Sequence, residues 1–170
     1  MNLVYCQQKC CQIQLSYSSR QFEKHHTNQK AGIVVYDRQQ DRVLLVQSHL
    51  HFWGPPKGTL NKDEAPFECA LRELKEETGL ELNIFDLEKA YIINNSIYYY
   101  TEKPFIQLKL IPTTDVDGLT WIKIDCLAAL IETGQIILSK RAWIVLNHFL
   151  DKKLPQTEFK TVRTKKFSIR

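Results

Sequence analysis

Three glutamates in the stretch GPPKGTLNKDEAPFECALRELKEETGL, Gly54 to Leu80, are spaced to act together: Glu73 lies three residues before Glu76 and four before Glu77. On a helix those offsets put the three carboxylates on one face, with Cβ atoms about 5–6 Å apart. Left alone they repel. Arg72, in reach of Glu76 at i+4 and of Glu68 at i−4, brings one positive charge to the group. Hard oxygen donors gathered in this way suit Mg²⁺ or Mn²⁺, whose octahedral shell accepts carboxylates and keeps waters for a substrate's phosphates. A solvated acidic face with i,i+4 pairs would give the same helix pattern, so the surrounding residues must decide.

They do so by spacing. Gly58 is followed by five residues, Glu64, seven residues, and then Arg72-Glu73-Leu74-Lys75-Glu76-Glu77-Thr78-Gly79-Leu80. Every position of G-x5-E-x7-R-E-U-x-E-E-x-G-U, with U apolar, is filled. Seven fixed residue types at about one in twenty each arise by chance on the order of once in a billion start positions. The chain thereby resembles the Nudix hydrolase superfamily. The resemblance implies an α/β fold, an α/β/α sandwich around a mixed β-sheet. It also implies Mg²⁺- or Mn²⁺-dependent hydrolysis of a pyrophosphate bond in a nucleoside diphosphate linked to another moiety.

By position, the resemblance makes Glu73, Glu76 and Glu77 metal ligands, with Glu76 and Glu77 foremost and the backbone carbonyl of Lys57 a further one. Glu64 and Arg72 become the residues that hold the loop and the glutamates in register. A carboxylate must also take the proton of the attacking water. Glu77 and Glu73 are candidates, as are Asp115 and Asp117 in TTDVDGLTW, although Asp is equally at home there as a turn residue.

The wider stretch WGPPKGTLNKDEAPFECALRELKEETGLEL is similar to the catalytic domain of the eukaryotic mRNA decapping enzymes. Their pattern runs W-G-F-P-K-G, N-K-x-E-x-P, C-A-x-R-E and E-E-T-G. Trp53, Gly54, Pro56, Lys57, Gly58, Asn61, Lys62, Glu64, Pro66, Cys69 and Ala70 match it, and LKLIPTT and LTWIKIDCL resemble its later strands. In that family an acid about six residues before the tryptophan acts on the water, a place Asp115 takes here with a side chain one methylene shorter than the usual Glu. Pro55 departs from the family's Phe, and PPKG instead resembles animal-type diadenosine tetraphosphate hydrolases. The implied substrate is therefore capped RNA or, alternatively, a dinucleoside polyphosphate or diphosphoinositol polyphosphate. The helical N-terminal regulatory domain of the decapping enzymes has no counterpart in the sequence, and no protein partner is deducible.

Capped RNA calls for contacts beyond the cap. Lys140 and Arg141, followed by Lys152, Lys153, Lys160, Arg163, Lys165, Lys166 and Arg170, form a basic track for phosphates. Asp151 to Arg170 alone carries seven Lys/Arg against two acids, a local +5 that leaves the rest of the chain near −1 of the net +4; the alternative for this segment is a solvated terminus. Trp53, Tyr98, Tyr99, Tyr100 and Phe105 are candidates to stack a base, with core packing the alternative for Trp53 and Phe105.

These residues need a scaffold. A chain of 170 residues fits one domain. The runs AGIVVY (31–36) and RVLLVQ (42–47), separated by DRQQD, predict a hairpin. Residues 48–64 read as loop. Pro66 as a helix start, Phe67, Ala70, Leu71 and Leu74 as an apolar stripe and Gly79 as a stop predict a helix over 65–78. Further strands are expected at 88–94, 96–100, 104–111 and 119–124, and helices near 126–132 and 139–150. Residues 1–28 show neither period and read as a poorly defined arm before a 29–150 domain, with 151–170 as a basic tail.

No apolar run approaches the roughly 18 residues of a membrane span, and five cysteines without a signal peptide argue against a secreted disulfide framework. The expectation is a soluble, cytoplasmic protein. Cys6, Cys10 or Cys11 with His25 or His26 would offer zinc ligands, but C-x3-C-C…H-H fits no compact finger spacing. A mitochondrial transit peptide is a lesser reading, since the arm's only arginine is Arg20.

Overall fold

The structure, a computed structural model, describes residues 2–16, 29–48, 51–111 and 116–156. Its central strands are β3 (Lys30–Asp37), β4 (Arg42–Ser48), β8 (Ser96–Glu102) and β9 (Val116–Lys123). The sheet runs β1-β2-β9-β4-β3-β8-β7, with β1 Asn2–Tyr5, β2 Gln12–Leu15 and β7 Lys89–Ile93. It is mixed: β3 pairs with β8 in parallel, Ile33 opposite Tyr99, and with β4 antiparallel, Tyr36 opposite Val43.

Both faces of β3 and β4 are covered, which is why their sequences are continuously apolar. Ile33, Val35, Leu44 and Val46 point to one core, while Val34, Tyr36, Val43 and Leu45 point to the other. Helix α1 (Pro66–Thr78) closes the first core through Cys69, Ala70 and Leu74. Leu74 is fully buried, a placement that stabilises by roughly 1.5–3 kcal/mol. Helices α2 (Ile124–Glu132) and α3 (Lys140–Phe149) close the second through Leu127, Ala142, Val145 and Leu146. The result is the expected α/β/α sandwich around a mixed sheet.

Local signals explain the ends of α1. Glu68 turns back so that its Oε2 accepts the Ala65 amide at 2.9 Å. It caps the helix instead of pairing with Arg72 as the i−4 spacing suggested. Gly79 ends the helix in the left-handed region, φ 75°, with its amide on the Lys75 carbonyl.

Three expectations change, and one short strand is new. Within the N-terminal segment, Asn2–Tyr5 and Gln12–Leu15 form a hairpin whose second strand joins the sheet beside β9, Ile13 opposite Thr120. The stretch read as loop carries two short strands, β5 (Phe52–Gly54) on β4 and β6 (Lys57–Thr59) on β3. A two-residue strand, β10 (Ile137–Leu138), pairs with β5 in parallel. Residues 104–111 form no ladder. Pro104 has no amide to give, and side chains take two of the others: Asp37 Oδ2 accepts from Phe105, and Gln14 Oε1 accepts from Leu110.

Candidate active site

Strand β6 is laid across the C-terminal half of α1, and the glutamates meet it there. The Lys57 amide donates to Glu77 Oε2 at 2.9 Å. Next to it, a Cβ on Gly58 would stand 1.8–2.3 Å from the Glu73 carboxyl group. Only a residue without a side chain lets that carboxylate lie against the strand. Glu77 is buried, at 4% exposure, and the Glu73 side chain is 14% exposed. Glu76 looks outward, its side chain 57% exposed.

Arg72 organises the group. It forms a fork on Glu64, Nε to Oε1 at 2.7 Å and Nη2 to Oε2 at 2.9 Å. Its Nη1 donates to Glu73 Oε1 at 2.6 Å and, more weakly, to Glu76 Oε2 at 3.4 Å, while Nη2 also reaches the Thr59 carbonyl. Glu64 in turn accepts the Asn61 amide at 2.8 Å. The Arg72 hydrogen bonds hold the Glu64 carboxyl below the usual carboxylate range, and Glu64 correspondingly raises Arg72. Burial and the adjacent Glu64 charge push the Cys69 thiol behind them up to about 12, so it is inert.

The donor set suits a hard divalent cation: two sheltered carboxylates, Glu73 and Glu77, at the 57–58 backbone, and a third, Glu76, on the open side. The three do not converge to within 4.8 Å of one another. Arg72 and the Lys57 amide instead hold Glu73 and Glu77 individually, which keeps mutually repelling charges apart.

Lys57 also opens on the other side to a cavity of about 400 Å³. Lys30, Lys57, Lys140 and Arg141 supply positive charge to its wall, and Phe52 and Trp53 supply apolar surface. Burial lowers the Lys57 ammonium's pKa and the charges of Lys30 and Arg141 add to that, while Glu77 and Glu73 oppose it. Lys140 and Arg141 arrive at the first turn of α3, fixed by Ser139, whose Oγ accepts the Ala142 amide at 3.1 Å.

Other sequence candidates fall elsewhere. Tyr98 is 1% exposed and presents no ring face to a base; burial raises its hydroxyl, which feels both Arg141 and Glu77. Phe105 packs edge-on against Trp121 and under the Arg42 guanidinium, away from this cavity. Lys152 is held by Asp41 and Asp125 at 2.7 and 2.9 Å, and Lys153 donates to the Asn147 carbonyl. Asp117 is buried within β9, not placed in a turn. Asp115, Lys160, Arg163, Lys165, Lys166 and Arg170 lie outside the described residues. Lys30 and Phe52 escaped the sequence reading because neither belongs to a motif and the cavity is assembled from four separate segments of the chain.

The NUDIX domain profile matches residues 26–139, the segment that carries the glutamates, Arg72 and strand β6. The chain belongs to the NUDIX family. It is thus a hydrolase of pyrophosphate bonds. Its fold is shared with solved structures: the Escherichia coli dihydroneopterin triphosphate pyrophosphohydrolase aligns with 71% of this chain and 92% of its own at a TM-score of 0.53 and 19% identity. In sequence, "Putative hydrolase 111R" of Invertebrate iridescent virus 3 is 33% identical over 141 residues, 74% of this chain and 80% of that protein. The m7GpppN-mRNA hydrolase dcap-2 of Caenorhabditis elegans is 34% identical over 104 residues. That match covers 55% of this chain but only 13% of dcap-2, so this NUDIX protein corresponds to a small part of the nematode enzyme.

Proposed function

We propose that this NUDIX protein is a Mg²⁺- or Mn²⁺-dependent decapping hydrolase that cleaves the 5′ cap of RNA and releases 7-methylguanosine diphosphate. The observation that carries the reading is the double role of Lys57. Its backbone touches the carboxylates, and its side chain lines a cationic cavity with aromatic surface. A substrate with a base at one end, a run of phosphates in the middle and a scissile anhydride beside the helix fits that layout. The likeness to dcap-2 supports the cap as the base-bearing end.

Glu73, Glu76 and Glu77 would hold the ion, with the Lys57 carbonyl as a further donor. A bound divalent ion neutralises phosphate oxygens and acidifies a water. The remaining work belongs to side chains. Lys30, Lys57, Lys140 and Arg141 counter the polyphosphate charge, and Phe52 and Trp53 give the base an apolar wall. Glu77, Glu73 or Asp115 takes the proton of the attacking water. Lys140 and Arg141 begin the RNA track, and Lys160, Arg163, Lys165 and Lys166 extend it. Lys152 and Lys153 are left out because their ammonium groups are already engaged. Free cysteines suit a cytoplasmic setting, where capped RNA is found.

A second reading, hydrolysis of dinucleoside polyphosphates, is favoured by Pro55 in place of an aromatic residue ahead of Pro56-Lys57-Gly58. A substrate panel separates the two: cap-labelled RNA of several lengths, free cap dinucleotide and diadenosine tetraphosphate, each with Mn²⁺. Cleavage that strengthens with RNA length supports decapping. Intact RNA alongside cleaved diadenosine tetraphosphate refutes it.

A further inference from the structure

Away from the glutamates, the fold gathers four thiols that the hydrolase reading leaves unused. Cys10 Sγ lies 3.5 Å from Cys6 Sγ, 3.6 Å from Cys11 Sγ and 3.3 Å from Cys126 Sγ, and all four sulfurs lie within 4.8 Å of one another. Among the described residues this is the one group of three or more His, Cys, Asp or Glu side chains drawn together so closely. Cys6, Cys11 and Cys126 are buried and Cys10 is half-buried.

The topology explains how residues more than a hundred positions apart meet. Ile13 pairs with Thr120, so the β1–β2 turn lies at the end of β9, where α2 begins and Cys126 occupies its first turn. The turn is shaped for its load. The Cys6 amide donates to the Cys11 carbonyl at 3.1 Å, the Lys9 amide donates to the Cys6 carbonyl at 2.9 Å, and Lys9 adopts φ 55°. The sequence alone suggested Cys6 and Cys10 or Cys11 with a histidine. His25 and His26 lie outside the described residues, and Cys126 completes a set without them.

We propose that Cys6, Cys10, Cys11 and Cys126 form a structural Zn²⁺ site that fastens the N-terminal hairpin to α2. Four thiolates at about 2.3 Å from a tetrahedral zinc stand about 3.8 Å apart; the three distances from Cys10, 3.3–3.6 Å, open by a few tenths of an ångström to reach that value, and the other sulfur pairs already lie within 4.8 Å. The sulfurs are too close together to enclose an iron–sulfur cluster and, not being bonded, differ from a disulfide. A complete set of protein ligands leaves no position for substrate, which makes the site structural. Binding releases four thiol protons to solvent and leaves a centre of charge −2. That charge meets the Lys123 amide, 3.3 Å from Cys11 Sγ, and the Arg42 guanidinium, which donates to the Cys10 carbonyl at 2.9 Å.

The test is the metal content of the full chain, purified without chelator from zinc-supplied cells. The expected result is about one zinc per chain, retained in Glu77→Gln and lost in both Cys10→Ser and Cys126→Ser. Because serine variants can misfold, the wild-type protein is also reconstituted with Co²⁺ after zinc removal. Thiolate-to-cobalt charge-transfer bands with intense tetrahedral d–d bands are expected. Zinc well below one equivalent with no such bands, zinc unchanged in both cysteine variants, or a disulfide among these residues in the freshly purified protein would each overturn the proposal.

Discussion

The amide of Lys57 donates to Glu77 Oε2 at 2.9 Å, tying strand β6 to α1 at the residue from which the cationic cavity opens. Glu77→Gln keeps an oxygen acceptor for that amide and removes the charge. We expect the fold to persist and kcat to fall by about 10²–10⁴-fold, the range for losing a carboxylate that acts on the reacting groups. Thermal unfolding and steady-state turnover check both halves. Full turnover would remove Glu77 from the chemistry.

Gly58→Ala tests the neighbouring contact between β6 and α1. The added methyl meets the Glu73 carboxyl group, which Arg72 already holds at 2.6 Å. Glu73 must swing away, so we expect about 1–3 kcal/mol of destabilisation together with loss of activity. Urea denaturation of an Ala variant as stable and as active as wild type would contradict the geometry.

The Glu64–Arg72 fork has a pH signature. Glu64 is held below its ordinary value of 4.5 by Arg72, so on acidification the unfolded chain takes up the proton first. The stabilisation is therefore complete above the ordinary value and is lost as pH falls through the lowered one. Both side chains are sheltered, 27% and 12% exposed. Arg72→Ala should cost about 1–3 kcal/mol at neutral pH, and its difference from wild type should shrink as the pH falls below the ordinary value of 4.5 and through the lowered one. A difference independent of pH would mean that the fork is not the source.

Cations divide by what already holds them. Arg141 lines the cavity, whereas Lys152 is bound by Asp41 and Asp125. Loss of one charge-assisted phosphate contact, roughly 1.5–3 kcal/mol, predicts a KM raised at least tenfold in Arg141→Ala. Lys152→Ala should leave KM and the salt dependence of RNA binding unchanged. Equal effects in the two variants would show that the cavity does not select phosphate.

The sequence was most readable where period and punctuation coincide. Pro66, the Ala70–Leu74 stripe and Gly79 delimit α1 almost to the residue, and the continuous apolar runs of β3 and β4 reflect burial on both faces. The hairpin was hidden because its strands break the usual alternation. Asn2–Tyr5 is exposed throughout, and in β2 the polar Gln14 is buried, bonding the Leu108 carbonyl and the Leu110 amide. Those same bonds explain why 104–111, apolar enough for a strand, is not one. The glutamates and their supporting arginine were legible because they are close in sequence. Lys30, Phe52 and Cys126 were not, since only the assembled sheet brings them to their partners.

The central claim is decided by the product released from cap-labelled RNA incubated with the purified protein and Mn²⁺. The expected products are 7-methylguanosine diphosphate and RNA ending in a 5′-monophosphate, both abolished by a chelator and by Glu77→Gln. Cap-labelled RNA left intact, or cleavage that persists without divalent metal, would contradict it.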